Sequence, residues 1–111
     1  VDIVMSYAGA DGTLIRAAQA EGAKGLIVAG FAPGLVTPDQ RVALEACAND
    51  GVAVVQASRV GSGRVPRLEV AQATGTVVAD NLTPQKARIL LMLALAAEVP
   101  GAELQRMFEI Y

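Results

Sequence analysis

Apolar residues occur along this chain in two kinds of run, and their alternation predicts the fold. Three short runs, at residues 1–7, 25–30 and 52–58, are rich in valine, isoleucine and alanine. The second is apolar on both faces, which is typical of strands buried inside a parallel sheet, and the third is read as a further apolar strand. A weaker run at residues 75–80 predicts a short fourth strand or an extended arm.

Helical patterns fill the intervals between these runs. Residues 13–21 are good helix formers and end at Gly22, a typical glycine at a helix carboxyl end. Thr37-Pro38 with Gln40 three residues after the cap is the capping-box pattern. The helix that follows is expected to place four residues on one face: Val42, Ala43, Ala46 and Cys47.

Two further helices are predicted near the end of the chain. Residues 85–97 follow a second cap-proline pair, Thr83-Pro84, and are apolar almost all the way round, so we expect a partner surface to cover part of them. Residues 102–111 carry an amphipathic stripe of Leu104, Met107, Phe108 and Tyr111.

Strands that alternate with helices over short connections predict right-handed crossovers and a parallel sheet. We therefore expect a small three-layer α/β domain, Rossmann-like, with a mainly parallel sheet of three to four strands and helices on both faces. With 111 residues, the chain is expected to be one domain spanning residues 1–111. Its abrupt opening on a strand suggests a fragment of a longer protein.

Composition narrows the function classes. Hydrophobic residues make up 53% and charged residues 18%, which excludes a disordered chain. The net charge of −2 gives no broad attraction to nucleic acid or to an anionic membrane, so neither partner is expected. The longest apolar run, residues 89–97, is about half the length that a bilayer crossing requires.

The residue inventory offers little catalytic chemistry. The chain has no histidine, which removes the commonest general base, and its single cysteine makes a zinc site improbable. Cys47 lies among alanines and is interpreted as structural, while Ser6, Ser58 and Ser62 have no visible base partner. We therefore predict no catalytic residue in this chain, no metal site and no cofactor.

The stretch "SRVGSGRVPRLEV" after the third strand is open to three interpretations. Residues 61–64, "GSGR", suggest a phosphate cradle, but Val65-Pro66 follows where a phosphate loop would lead into a helix. A second interpretation is a flexible loop with solvated arginines. A third is a hinged loop whose glycines provide mobility while Glu69 is carried toward a ligand.

Four stretches together resemble one family. They are "VDIVMSYAGADGTLIRAA", "GLIVAG", "SRVGSGRV" and "ADNLTPQKARILLMLAL", of which the last is the most specific. This chain resembles the C-terminal domain of bacterial L-asparaginases and glutaminase-asparaginases over nearly its whole length. The resemblance implies a two-domain amidohydrolase that converts L-asparagine and water to L-aspartate and ammonia, with the threonine nucleophile in an N-terminal domain that this chain lacks.

The resemblance also implies two site residues that act on the pocket of a neighbouring subunit. Glu69 would meet the α-ammonium group of the amino acid substrate, a charge-assisted contact. Leu35, in "GFAPGLV", stands where relatives place a polar donor, and leucine cannot donate a hydrogen bond. Family members are tetramers built from intimate dimers, so a homo-oligomer is implied as well. Asparagine against glutamine preference and the cellular compartment stay open.

Two alternatives from other classes stand beside this interpretation. One is a non-catalytic α/β binding module in which Arg59, Arg64 and Arg67 receive an anionic ligand. The other is an oligomerisation domain that associates through the apolar helix at residues 85–97.

Overall fold

Four parallel strands form a single sheet in the computed structural model of the chain, which describes residues 1–61, 63–67 and 75–111. The strands lie in the order β1 (Asp2–Met5), β2 (Gly25–Gly30), β3 (Ala53–Ser58) and β4 (Val77–Val78). Every neighbouring pair is parallel; Ile27 of β2, for example, lies beside Ile3 of β1 and Val55 of β3.

Four helices in the described part of the chain cover the sheet. They are α1 (Thr13–Ala20), α2 (Pro38–Asn49), α3 (Pro84–Ala96) and α4 (Gly101–Ile110). The helices α1 and α2 pack on one face of the sheet, and α3 and α4 pack on the other. The three-layer α/β fold expected from the sequence is confirmed.

The two faces of the sheet carry separate apolar cores. Leu26, Val28 and Val54 pack with residues of α1 and α2, while Ile27 and Val55 pack with α3 and α4. All six residues of β2 are buried, as the unbroken apolar run predicts for a central parallel strand. The remaining buried members of the two cores are Val4, Ile15, Ala43, Leu44 and Cys47 on one side, and Ala57, Ala79, Ala87, Leu91, Ala94, Leu104 and Phe108 on the other.

The buried face of α2 differs from the expected one. Val42 is 68% exposed and Ala46 is also exposed, whereas Ala43, Leu44 and Cys47 face the core together with Gln40. Positions 40, 43, 44 and 47 form one helical face at spacings of three and four. The prediction was wrong because a polar residue, Gln40, sets this face, and an apolar pattern alone shifts it by one position.

Gln40 links the start of α2 to the end of β1. Its backbone N–H donates to Thr37 Oγ1 at 3.2 Å, and its side-chain Oε1 accepts from the Thr37 N–H at 3.4 Å, which confirms the capping box. The same Oε1 accepts from Ser6 Oγ at 2.5 Å, and Nε2 donates to the Met5 carbonyl at 3.2 Å. Ser6 and Gln40 are fully buried, so these bonds satisfy polar groups that water cannot reach.

Gln105 of α4 covers the free edge of β4. Its Oε1 accepts from the Val78 N–H at 2.9 Å and its Nε2 donates to the Val78 carbonyl at 3.2 Å. The side-chain amide thus occupies the hydrogen-bonding positions of a further strand, which protects an edge that would otherwise pair with other chains.

The last two helices leave an apolar surface uncovered. Ile89 and Leu93 of α3 are 52% and 62% exposed, and a groove of about 520 Å³ runs between α3 and α4. In the expected stripe of α4, Leu104 and Phe108 are buried, Met107 is half-buried and Tyr111 is exposed, because Tyr111 lies beyond the end of the helix. None of the helices in the described residues has the length and apolar character that spanning a membrane requires.

Replacement of Gln40 by alanine is expected to lower the free energy of unfolding by about 2–3 kcal/mol, because the Ser6 hydroxyl and the Met5 carbonyl lose their buried partner. Chemical denaturation measures the change. Gln85→Ala is the matched control, since Gln85 also lies in the first turn of a helix but is exposed. Equal effects of the two substitutions would show that the buried network does not stabilise the fold.

Candidate functional site

Because all four strands are parallel, their carboxyl ends share one edge of the sheet, where ligands of open α/β sheets bind. The loops at this edge begin at Ser6 after β1, Phe31 after β2, Arg59 after β3 and Ala79 after β4. Two pockets of about 330 Å³ and 230 Å³ lie beside the first residues after β3 and the start of α3.

The loop after β2, residues 31–35, has a closed backbone. The Phe31 N–H donates to the Leu35 carbonyl at 2.7 Å, and the Leu35 N–H donates back to the Phe31 carbonyl at 2.8 Å. The Gly34 N–H also donates to the Phe31 carbonyl. These bonds place Ala32 and Pro33 at an exposed tip.

Two glycines permit this loop to close. A Cβ at Gly30 would lie 2.3 Å from the Leu35 carbonyl oxygen, which is backbone and cannot move aside. Gly34 has a φ of +106°, a conformation that L side chains rarely adopt, and a Cβ there would lie 2.6 Å from Val65 Cγ1. The loop after β2 therefore packs directly against the loop after β3 through Gly34 and Val65.

Leu35 lies at the end of this closed loop, with 44% of its surface exposed. Its backbone N–H and carbonyl are both used to close the loop with Phe31. The side chain is therefore the part of Leu35 left to contact a neighbour, and it carries no donor.

The loop after β3 is described at residues 59–61, 63–67 and 75–76. Val65 is buried, and its N–H donates to the carbonyl of Asp80, which lies two residues after the end of β4. Ser58, at the end of β3, accepts from the Val60 N–H through Oγ at 3.2 Å. Glu69, the predicted substrate-contacting carboxylate, lies outside the described residues, as does Ser62.

The three arginines of this stretch engage three different partners. Arg59 donates to the Ser6 carbonyl at 3.1 Å and lies over the Phe31 ring, with its guanidinium carbon 4.8 Å from the ring centroid. Arg64 pairs with Asp80 at 3.7 Å, and Arg67 pairs with Glu109 at 3.4 Å. Separate partners argue against a shared anion site formed by the three guanidinium groups.

Hydroxyl groups at the edge have structural roles. Ser6 donates to Gln40, and Thr37 Oγ1 donates to the Ala10 carbonyl at 2.7 Å while it caps α2. Thr83 Oγ1 accepts from the Lys86 N–H at 3.4 Å and caps α3. In the part of the chain that the structure describes, no three His, Cys, Asp or Glu side chains gather to hold a metal ion.

Asp11 takes part in the turn before α1. Its Oδ1 accepts from the Thr13 N–H at 3.0 Å. This backbone hydrogen bond, assisted by the Thr13 hydroxyl, lowers the pKa of the exposed Asp11 carboxyl below its usual value. The carboxylate therefore serves turn geometry, as its position before Gly12 indicates.

Cys47 is buried in α2 and has no features of a nucleophile. Its thiol donates to Gln19 Oε1 at 3.1 Å. Burial raises the pKa of the Cys47 thiol, and the nearby Asp50 carboxylate raises it further. A reactive cysteine needs the opposite shift, so the structural interpretation of Cys47 agrees with its surroundings.

The fold is an open α/β domain whose edge loops follow the ends of parallel strands. The hydroxyls of Ser6, Thr37 and Thr83 and the thiol of Cys47 form structural hydrogen bonds. Residues 1–108 match the family model described as the Glutaminase/Asparaginase C-terminal domain. The chain belongs to this family, and the family resemblance seen in its sequence is confirmed.

Relatives give the extent of the similarity. The glutaminase-asparaginase of Pseudomonas fluorescens biotype A is 37% identical over 100% of this chain and 32% of its own length. L-asparaginase 2 of Bacillus subtilis (strain 168) is 35% identical over 100% of this chain and 30% of its own length. The chain thus spans about a third of the length of these relatives.

A solved structure supports the fold. The crystal structure of a probable cytoplasmic L-asparaginase from Campylobacter jejuni superposes with a TM-score of 0.93 at 35% sequence identity. The overlap covers 99% of this chain and 36% of that one.

The sequence did not identify the link formed by Arg59, Ser6 and Phe31. Arg59 and Ser6 lie 53 positions apart, so no local pattern relates them. The available signal was the position of each residue at the end of a predicted parallel strand, since such residues converge on one edge.

The raised pKa of Cys47 predicts a pH dependence of stability. Above about pH 8.5, the ordinary pKa of a cysteine thiol, the unfolded chain loses a proton that the folded chain retains, so the free energy of unfolding falls as pH rises. Denaturation at pH 7.5 to 10 measures the free energies of unfolding of the unmodified chain and of Cys47→Ala. The amount by which the unmodified chain is more stable should shrink as pH rises. A difference that stays constant over this range would contradict the burial of a protonated thiol.

Proposed function

We propose that this chain is the C-terminal domain of an L-asparaginase-type amidohydrolase. The parent hydrolyses the side-chain amide of L-asparagine to give L-aspartate and ammonia, and this domain contributes substrate-positioning residues and subunit contacts. The observation that carries the proposal is the match of the whole chain to a third of proteins named L-asparaginase and glutaminase-asparaginase.

A division of labour between domains fits the chemistry of the described residues. Amide hydrolysis through a covalent intermediate needs a nucleophile activated by a base. The hydroxyls of Ser6, Thr37 and Thr83 are engaged in structural hydrogen bonds, and Cys47 is buried with a raised pKa. The resemblance places the nucleophile, a threonine, in the N-terminal domain, and we assign the nucleophile of the proposed reaction to that part of the parent protein.

Glu69 is proposed to bind the α-ammonium group of the substrate in the pocket of a neighbouring subunit. The argument rests on its place in the sequence, after the third parallel strand and beyond Val65 and Pro66. The loops after β2 and β3 are neighbours because both begin at the carboxyl edge of the sheet. The contact of Gly34 with Val65 supports this. A carboxylate carried by the β3 loop would thus act beside the loop that contains Leu35.

Subunit contacts are the second proposed contribution. The exposed side chains of Ile89, Met92 and Leu93 form an apolar strip on α3 beside the groove between α3 and α4. Exposed apolar surface of this kind marks protein interfaces more often than free surface. We propose that the remainder of the parent and a second subunit cover this apolar strip. This assignment replaces the alternative in which the domain by itself oligomerises through α3.

The 111-residue chain alone is expected to release ammonia from L-asparagine only at background rate, while the full-length parent is expected to hydrolyse it.

In the parent, Glu69→Gln should raise KM about 10- to 100-fold with a smaller effect on kcat, because a hydrogen bond to a charged group contributes about 1.5–3 kcal/mol. A coupled ammonia assay measures both constants. Glu103→Gln, an exposed carboxylate on α4, is the control and should leave KM unchanged.

Leu35→Asn in the parent should lower KM for L-asparagine about 2- to 10-fold, because one neutral hydrogen bond contributes about 0.5–1.5 kcal/mol. The substitution introduces a donor at an exposed side chain without disturbing the backbone bonds of the loop. Leu35→Ala separates the donor from the loss of bulk, since it removes the leucine without adding a donor. If alanine lowers KM as much as asparagine does, the missing hydrogen bond is not what limits binding.

A further inference from the structure

Arg59 joins the exits of three strands. It is the first residue after β3, and its backbone N–H donates to the Gly30 carbonyl at the end of β2 at 2.9 Å. Its Nη1 donates to the Ser6 carbonyl after β1 at 3.1 Å, and its guanidinium group lies over the ring of Phe31, the first residue after β2. One side chain therefore contacts the start of the β1 loop and the start of the β2 loop at once.

The β2 loop is shaped by its own backbone and oriented by contacts with other residues. Its backbone closes on itself between Phe31 and Leu35, so its internal shape is set locally. Its orientation against the sheet depends on side contacts, which include the packing of Gly34 on Val65 and the stacking of Phe31 under Arg59. Both bonds that close the loop involve the Phe31 backbone, so a Phe31 that loses its contact with Arg59 would also weaken the closure between Phe31 and Leu35.

We infer that Arg59 is a positioning residue that sets the orientation of the β2 loop toward substrate. The inference rests on the proposed function, in which this loop forms a wall of the neighbouring subunit's pocket. Arg59 holds Phe31 through its planar face while the Ser6 carbonyl fixes the position of the guanidinium group. The Ser6 peptide is itself held, because its hydroxyl donates to the buried Gln40 side chain.

The geometry requires arginine chemistry. A guanidinium group stacks on an aromatic ring through its flat face and still directs N–H donors sideways to a carbonyl. Lysine keeps the charge and one donor but lacks the flat face, so it should satisfy the two contacts only in part. Lysine is thus a graded probe of the stacking.

The test compares Arg59→Ala, Arg59→Lys and Arg64→Ala in the full-length parent. Arg64 is the matched control because it lies in the same loop, and its exposed guanidinium group pairs with Asp80. Arg59→Ala should raise KM for L-asparagine about tenfold with kcat within about threefold, since lost positioning removes binding that substrate and transition state share. Arg59→Lys should recover at least half of this loss on a logarithmic scale, and Arg64→Ala should match the parent.

Amide hydrogen exchange of the segment spanning residues 31–35 is the second readout. Arg59→Ala should speed exchange at the Phe31 and Leu35 amides about tenfold, while Arg64→Ala leaves it unchanged. Thermal melting accompanies both measurements to establish that each variant is folded. A KM for Arg59→Ala equal to that of Arg64→Ala overturns the inference. A loss of kcat and of folded protein in both Arg59 variants, with KM unchanged, also overturns it and assigns Arg59 a purely structural role.

Failure of the proposed function is distinguishable from failure of this inference. If the unmodified parent releases no ammonia from L-asparagine, the amidohydrolase proposal fails, and the exchange measurement alone decides. Faster exchange in Arg59→Ala than in Arg64→Ala then supports the hold of Arg59 on the loop, and equal exchange overturns it. Phe31→Leu gives an independent check, because removal of the ring should make a further Arg59→Ala substitution nearly silent in exchange.

Discussion

The buried side-chain amide of Gln40 is the interaction on which the carboxyl edge of the sheet depends. It completes the cap of α2, receives the Ser6 hydroxyl and donates to the Met5 carbonyl, so it ties a helix start to the end of a neighbouring strand. The Ser6 hydroxyl and the Gln40 amide are shielded from water, and an unpaired polar group there would be costly. The result is a fixed position for the Ser6 peptide, whose carbonyl receives Arg59.

A series of contacts connects the loops at this edge to one another. The bonds described above run from α2 to β1, from β1 to Arg59 and from Arg59 to the β2 loop, while Gly34 and Val65 join the β2 and β3 loops. A series of contacts of this kind holds loops in place before a ligand binds, which reduces the conformational entropy lost on binding. The Ser6 hydroxyl, which donates to Gln40 in this series of contacts, is not free to act as a nucleophile.

The sequence predicted the parts of this structure that local chemistry determines. The strands, the cap of α2 by Thr37 and the start of α3 after Thr83 follow from patterns within a few residues. The buried face of α2 was predicted wrongly because Gln40 was recognised as a cap and not as a core residue. Arg59 was grouped with Arg64 and Arg67 as a possible anion site, and only tertiary contacts separate their roles.

The backbone and the side chain of Leu35 have different roles in the loop after β2. Both of its backbone hydrogen-bonding groups close the loop with Phe31, so a polar function at this position can come only from the side chain. Gly30 and Gly34 permit this backbone path, because added Cβ atoms would meet the Leu35 carbonyl and Val65. The side chain at position 35 takes no part in the bonds that close the loop. The leucine side chain is exposed and carries no donor, so this loop presents an apolar group where a polar residue would present a hydrogen bond.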